Sequence, residues 1–275
     1  MSDTPEKPRR LVTARRTLTI GTLAAGLATA AHATIVTPAE ADLPDSYWLA
    51  AGEGEGEGEG EGEGEGEAAE QDSSARMDDD AFLVALGQLE GRLFAATALA
   101  EEGQVDAAAA LLDGPAGDVR AALDARGIDG VADALAALDT AIAEGADTVA
   151  DNYDTARDLF ESARRETTAR GQFRSLIALT RAAAETYAGA VDGDQITDLA
   201  AYQAAWGMIE LAKVEAGEMA EANHDRISQA GQGLVDALAF GDPAFTDLQA
   251  AGLHPDASLL HGAAGRMDLA LSKVY

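Results

Sequence analysis

From Asp78 to the end of the chain, apolar residues recur every three or four positions, the spacing of one face of an α-helix. The first such stripe holds Phe82, Leu86, Leu89 and Leu93 and stops before Gly103. Further stripes are separated by Gly, Asp and Pro residues and cover 104–112, 131–142, 149–163, 173–191, 199–221, 227–238 and 256–274. Short connections between amphipathic helices favour antiparallel neighbours. The pattern therefore predicts one all-α domain over residues 78–275, an up-and-down antiparallel helical bundle.

Composition restricts the kind of core and the kind of partner. Aromatic residues make up only 5% of the chain and cysteine is absent, which excludes disulfides and thiolate metal sites. The 49 acidic residues outnumber the 19 Lys and Arg residues, for a formal net charge of −30. So acidic a surface repels nucleic acid and anionic lipid and suits cations or basic partners. Nucleic-acid binding is not expected.

The N-terminus has the three parts of an export signal. A basic segment with Arg15 and Arg16 precedes the apolar stretch 17–31, and Ala31-His32-Ala33 offers a small-x-small cleavage site. We expect a signal peptide over residues 1–33, cleaved after Ala33, with the twin-arginine and general secretory routes both open. Its removal leaves 14 basic and 47 acidic residues and a net charge of −33. The mature chain is expected in the periplasm, without a transmembrane span.

Residues 34–77 lack apolar periodicity and contain eight Gly-Glu repeats at 52–67. Alternating glycine opposes helix formation, and glutamates at every second position repel one another and extend the chain. The run is predicted to be a disordered acidic linker. Carboxylate oxygens also suit hard cations such as Ca²⁺ or ferric iron, so weak, multivalent cation binding is the alternative.

One constellation in the helical domain has the composition of a metal site. Glu215, Glu218, Glu221 and His224 follow one another at intervals of three. The last two have the Glu-x-x-His spacing of carboxylate-bridged dimetal bundles, and neighbouring members could share a cation such as iron. A second Glu-x-x-His motif is missing. Side chains three residues apart also do not stay on one face of a helix, because a helix has 3.6 residues per turn. A solvated acidic face is therefore the alternative interpretation.

Other chemical signatures are weak or missing. His254 and His261 flank the start of the last predicted helix, where metal ligation competes with capping and surface roles. The sequence contains no Gly-x-Ser-x-Gly nucleophile motif, no phosphate-binding loop and no strand-linked dinucleotide fingerprint. Tyr187, Tyr202 and Trp206 lie on apolar stripes, which favours core positions. We expect a protein that is not an enzyme.

Two patches carry a resemblance to known proteins. The first is LGQLEGRL at 86–93, with 98–104 and Asp-Gly-Pro at 113–115 downstream; the second is AAETYAGAVDG at 183–193, followed by YQAAWG at 202–207. With the export signal and the Gly-Glu run, they resemble a poorly characterised group of exported bacterial helical proteins. The second patch is similar to the periplasmic helical region of some bacterial high-affinity iron permeases. Relatives tend to carry histidine where this chain has Arg92 and Gly114, so the resemblance supports fold and compartment better than metal binding.

Two functions of different classes follow from these observations. The first is an exported, non-enzymatic accessory protein in metal uptake or handling, with iron as the first choice and a membrane metal permease or another envelope protein as partner. The second is an acidic structural or interaction module of the envelope without metal function, its bundle held away from a partner by the Gly-Glu run. Carboxylate-bound iron or another cation is the cofactor that the first function implies.

Overall fold

The apolar stripes of the sequence fold into a bundle of α-helices, so the predicted all-α class is confirmed. The computed structural model describes residues 78–112 and 117–275. The helices are α1 (Asp79–Glu101), α2 (Val105–Leu112), α3 (Gly117–Ala125), α4 (Val131–Glu144), α5 (Val149–Arg164), α6 (Ala169–Gly189), α7 (Leu199–Ala220), α8 (Asp225–Leu238) and α9 (Ser258–Leu271). A two-stranded antiparallel hairpin, β1 (Val191–Asp192) and β2 (Gln195–Ile196), joins α6 to α7, and a 3-10 helix (Ala239–Ala244) follows α8.

Three sequence-based predictions fall outside the described residues. They are the signal peptide at 1–33, the acidic linker at 34–77 and the break after the helix 104–112 at Asp-Gly-Pro 113–115. Helix α3 is a helix that the apolar pattern did not predict. It is nine residues long and buries only Val119, Ala122 and Leu123. Three apolar positions are too few to show a helical period in the sequence.

Several helix ends follow from local side-chain chemistry. The Thr168 hydroxyl accepts a hydrogen bond from the Gly171 backbone N–H at 3.1 Å, and the Asp198 carboxylate accepts one from Ala201 N–H at 2.9 Å. Each bond satisfies a backbone donor that the first turn of a helix leaves unpaired. Gly145 ends α4 in the left-handed conformation, with φ of 60°, as glycine does at many helix C-termini.

Helix α1 lies at the centre of the bundle and packs against α7, α6, α2 and α5. By length and composition it is the one helix in the described part of the chain that could cross a membrane, with a mean hydropathy of 1.3 over its most apolar window. However, 78% of that window is buried inside the bundle. Such burial on nearly all sides is what a core helix of a folded domain requires.

Buried tyrosines fix the chain that follows α8 onto α6 and α7. The Tyr187 hydroxyl donates to the Ala244 carbonyl and the Tyr202 hydroxyl to the Asp247 carbonyl, both at 2.8 Å. The ring of Phe245 packs against both tyrosine rings, with centroids 5.3 and 5.4 Å away. Both tyrosines are fully buried, as their places on the apolar stripes predicted. They anchor the segment that follows α8 to the two helices.

Helices α1 and α7 touch through their backbones. A Cβ atom added at Gly207 would lie 2.0 Å from the Gly91 carbonyl oxygen, and one added at Gly91 would lie 2.8 Å from the Met208 Cα. Real Cβ atoms do not approach backbone atoms so closely, so neither position has room for a side chain. The two glycines thus set the distance between the two central helices.

We expect Gly207→Ala to lower the free energy of unfolding by about 3 kcal/mol, the upper part of the range for overpacking, because the new methyl group meets backbone that cannot rotate away. Gly217→Ala is the matched control. It lies in the same helix with no other atom within 4 Å of its added Cβ, and should stabilise by up to about 1 kcal/mol through helix propensity. Urea denaturation of both variants measures the difference. Equal effects would show that α1 and α7 do not touch at Gly207.

Candidate functional site

Two arginines of α5 point into the bundle from the same side of the helix. Arg157 and Arg164 are seven positions apart, close to two full turns, and their side chains are only 17% and 12% exposed. The long aliphatic part of an arginine side chain can cross apolar surroundings and carry the guanidinium to a distant partner. Here the partners are Glu90 on α1 and Glu215 on α7. We call these four residues the buried charge cluster.

Arg164 holds the centre of the buried charge cluster. Its Nη2 donates to Glu90 Oε2, and its Nη1 lies 3.4 Å from Glu215 Oε1. Glu90 is completely buried and Glu215 is 6% exposed, so both carboxylates depend on nearby positive charge. A carboxylate removed from water without a counter-charge is strongly unfavourable. Arg164 therefore ties α1 and α7 to α5.

Arg157 lies nearer the surface and contacts more carboxylates. Its Nη2 donates to Glu218 Oε1 at 2.7 Å, and its Nε lies 3.2 Å from Glu161 Oε1. The same guanidinium is 3.7 Å from Glu215 Oε1 and 3.9 Å from Glu90 Oε1. Glu161 and Glu218 are partly exposed and form the outer edge of the arrangement.

The pKa values in the cluster follow from burial and charge acting in opposite directions. Burial raises the pKa of Glu215, and although the guanidinium of Arg164 opposes this shift, the nearby Glu90 carboxylate reinforces it. Burial disfavours the charged form of Arg164, but the carboxylates of Glu90 and Glu215 outweigh it and raise the pKa of the guanidinium. Burial also raises the pKa of Tyr153, whose ring lies edge-on to Phe94 with centroids 5.9 Å apart. The cluster holds charged arginines beside a tyrosine that stays neutral.

The arrangement neutralises its own charge. Carboxylates on facing helices of a bundle can hold metal ions, but here the guanidiniums of α5 lie against the two carboxylates. Among the described residues, no three or more His, Asp and Glu side chains come together in a way that could hold a metal ion. The cluster is built to join three helices.

The four residues of the predicted metal site do not form one helical face. Glu215 belongs to the buried charge cluster, and Glu218 is half-exposed and bonds to Arg157. The sequence pattern extended this helix through Glu221, but α7 ends at Ala220, and Glu221 is the residue that follows its last turn. His224 directly precedes α8. The Glu-x-x-His spacing therefore spans a turn between two helices, and a metal role for the four residues stays a prediction.

Close packing explains why the helix ends there. A Cβ added at Gly231 of α8 would lie 2.4 Å from the Ala220 backbone nitrogen, so α8 turns back directly onto the end of α7. The Ser228 hydroxyl donates to the Ala220 carbonyl at 2.6 Å and satisfies one of the carbonyls left free there. His254 and His261 are both exposed, before and within α9.

Sequence reasoning missed Glu90, Tyr153, Arg157 and Arg164 as a set. A signal was present, because Glu90 lies between Leu86 and Leu93 on the stripe of α1. A charged residue on an apolar face indicates a buried charge. It does not indicate which distant residue pairs with it.

A surface groove of about 540 Å³ lies between α1, α3, α6 and α7. Arg92, Gln88 and Thr186 contribute polar groups, and Ala204 and Met208 contribute apolar wall. Burial lowers the pKa of Arg92. The Asp118 carboxylate also lines the groove.

No protein-family model, curated protein or solved structure matches this chain.

We expect Arg164→Met to lower the free energy of unfolding by about 3–5 kcal/mol, because it removes the guanidinium that bonds to the buried Glu90 and leaves Arg157, 3.9 Å away, as the nearest positive charge. Arg165→Met is the matched control on the next residue, since Arg165 is 72% exposed and, within the described ranges, pairs with Glu161. Exposed pairs of this kind contribute about 0–1 kcal/mol. Chemical denaturation at neutral pH compares the two variants. Similar small losses in both would mean that solvent reaches Glu90.

Proposed function

We propose that the chain is an exported, non-enzymatic accessory protein of the bacterial envelope that binds a basic partner protein through one acidic face of its bundle. The observation that carries the proposal is the distribution of charge around α4. Between Arg126 and Arg157 the sequence contains no Lys, Arg or His and seven acidic residues. These are Asp129, Asp133, Asp139, Glu144, Asp147, Asp151 and Asp154.

Helix α4 separates its apolar and acidic residues cleanly. Val131, Leu138 and Ile142 are buried against the neighbouring helices, whereas Asp133 and Asp139 are exposed on the other side. Exposed alanines at 132, 136, 137 and 143 lie between the acidic residues. Small side chains let a partner approach the helix closely, and the carboxylates provide a negative field that steers basic surfaces towards it. We call the exposed side of α4 the acidic face.

The buried charge cluster supports a binding role in a second way. Its two carboxylates are engaged by Arg157 and Arg164, so neither is a free base for acid–base chemistry. Exposed carboxylates are the groups that a partner can reach. A binding protein needs a rigid scaffold under such a surface, and the cluster joins α5, on which α4 packs, to the two central helices.

Metal handling is the second candidate, with iron as the first choice and a membrane metal permease as the partner. The same acidic face favours it, because a strongly negative surface raises the local concentration of cations. The resemblance of the patch at 183–193 to iron permeases points the same way. On this proposal the protein would gather or pass on cations rather than enclose one.

Neutralising the acidic face should weaken partner binding. We expect a variant with three amides in place of exposed carboxylates to bind solubilised envelope proteins of the source organism about tenfold more weakly, at roughly 0.5 kcal/mol per charge. The variant is Asp133→Asn, Asp139→Asn and Glu144→Gln. The measurement is the affinity of the main basic protein retained by the immobilised full chain, followed by its elution with salt.

The control removes three exposed charges elsewhere on the bundle, by Glu185→Gln, Asp194→Asn and Asp236→Asn. It has the same net charge as the α4 variant and should bind as the parent chain does. If both variants weaken binding equally, net charge alone is responsible, and the acidic face is not the binding surface.

Calorimetric titration with ferric iron, copper and calcium tests the metal candidate. If the four predicted residues form a site, Glu221→Ala with His224→Ala should abolish saturable binding, because a folded pair of ligands needs less ordering than a flexible chain. If the Gly-Glu run binds instead, deletion of 52–67 should remove many weak sites and the double variant should change little. Absence of saturable binding in the parent chain would reject metal handling and leave the interaction module.

A further inference from the structure

A second surface groove, of about 280 Å³, runs along one side of α4 and is walled mainly by leucines. Four leucines from three helices line it, and Ala132 and Ala136 of α4 leave it open because their side chains are short. The leucines are Leu89 and Leu93 of α1, Leu112 of α2 and Leu135 of α4. We call this space the leucine groove.

The walls of the leucine groove belong to the core of the bundle. Leu89, Leu93 and Leu135 are buried, and Leu112 is partly buried and packs against the same core. Side chains fixed by core packing keep their positions when a partner arrives. The groove is therefore formed in advance, which lowers the cost of binding in it.

Charge is distributed unequally over the two edges of the leucine groove. Asp139 lines the edge on α4, and the stretch from Arg126 to Arg157 that contains α4 offers no basic residue to balance it. Arg120 lines the edge on α3. A basic segment is therefore attracted to the α4 edge and repelled from the α3 edge, so its positive charges are directed onto the acidic face.

The shape of the surface around α4 fits a helix. Ala132, Ala136 and Asp139 fall at i, i+4 and i+7 along one side of α4, next to the leucine groove. Ala136 also lines a shallow depression of about 420 Å³ on the other side, with Thr140 of α4 and Asn152 of α5. Small residues with a groove on either side form the kind of surface into which the side chains of a second helix pack.

We propose that the leucine groove anchors the partner of the acidic face, and that the occupant is a basic amphipathic helix. One large aliphatic side chain of that helix enters the groove between the four leucines, and its Lys or Arg residues lie opposite the carboxylates of α4. The inference rests on the proposed function, because it specifies how the acidic face recognises its basic partner. A large apolar side chain in a central pocket supplies most of the affinity of such a surface, whereas charges around it supply orientation.

Two peptide probes separate the anchor from the charges. The first is a short helical peptide of alanine, glutamine and lysine residues with a single central leucine, and the second has alanine in place of that leucine. We expect the full chain to bind the leucine peptide about tenfold more tightly, because the larger side chain removes more apolar surface from water. Fluorescence anisotropy of the labelled peptides measures both affinities.

Ala136→Phe blocks the leucine groove without changing any charge. Ala136 is exposed, so the ring is tolerated by the fold, and the variant should bind the two peptides equally. Ala188→Phe is the matched control on an exposed alanine of α6, which does not line the groove, and it should keep the tenfold preference. The variant with Asp133→Asn, Asp139→Asn and Glu144→Gln should weaken both peptides by the same factor.

Methyl NMR spectra of the parent chain give a readout that needs no variant. The methyl signals of Leu89, Leu93, Leu112 and Leu135 should shift more with the leucine peptide than with the alanine peptide, since only the former fills the groove. Equal shifts would overturn the proposal.

The outcomes distinguish the groove from the acidic face. Equal binding of the two peptides by the parent chain, or a leucine preference that survives in Ala136→Phe or is lost in both Phe variants, would overturn the groove as the anchor. If the three amides weaken both peptides in that case, the acidic face still stands. A preference lost only in Ala136→Phe, with affinities that the amides leave unchanged, would reject the acidic face and keep the groove. No binding of either peptide would overturn both.

Discussion

The rest of the structure depends on the direct contact between the backbones of α1 and α7 at Gly91 and Gly207. Two helices this close leave no space for water between them, so side chains at the contact, such as Met208 beside Gly207, become interior. Glu90 is the neighbour of Gly91 and is completely buried as a result. A buried carboxylate needs positive charge within reach, and α5 provides it through Arg164. Close packing of α1 against α7 thus requires a positively charged side chain on α5.

The same constraint decides where the chemistry of the protein can lie. Carboxylates in the middle of a helical bundle are typical ligands of metal ions, and Glu90 and Glu215 occupy such places. Because guanidiniums of the same chain neutralise them, the interior has no net charge to offer to a ligand ion. Carboxylates that a partner can reach lie outside, on helices such as α4. The charges of the interior thus serve to hold the bundle together.

How far the sequence predicts this protein can be judged from particular elements. The stripes of α1, α2 and α4 to α9 were visible because each buries apolar residues at helical spacing. The end of α7 at Ala220 was not, because it depends on Gly231 packing against that residue, a contact between two helices. Three-residue spacing grouped Glu215 with Glu221 and His224, but it did not indicate the contacts of Glu215 with Arg157 and Arg164, more than 50 positions earlier. Long-range pairing of charges is not encoded in local spacing.

The positions of the basic residues among the described residues explain why the acidic face is not neutralised. Most of the basic residues that pair do so outside the stretch from Arg126 to Arg157: Arg164 in the core, Arg174 with Asp80, Arg181 with Asp268 and Lys213 with Asp242. No arginine or lysine is placed along α4 to balance its aspartates and glutamate. Like charges concentrated on one surface repel one another and oppose folding. An exposed helix face does not need so many like charges, because neutral polar residues would also keep it in contact with water. A positively charged partner would turn the same repulsion into binding energy, which is the physical basis of the binding role proposed for the acidic face.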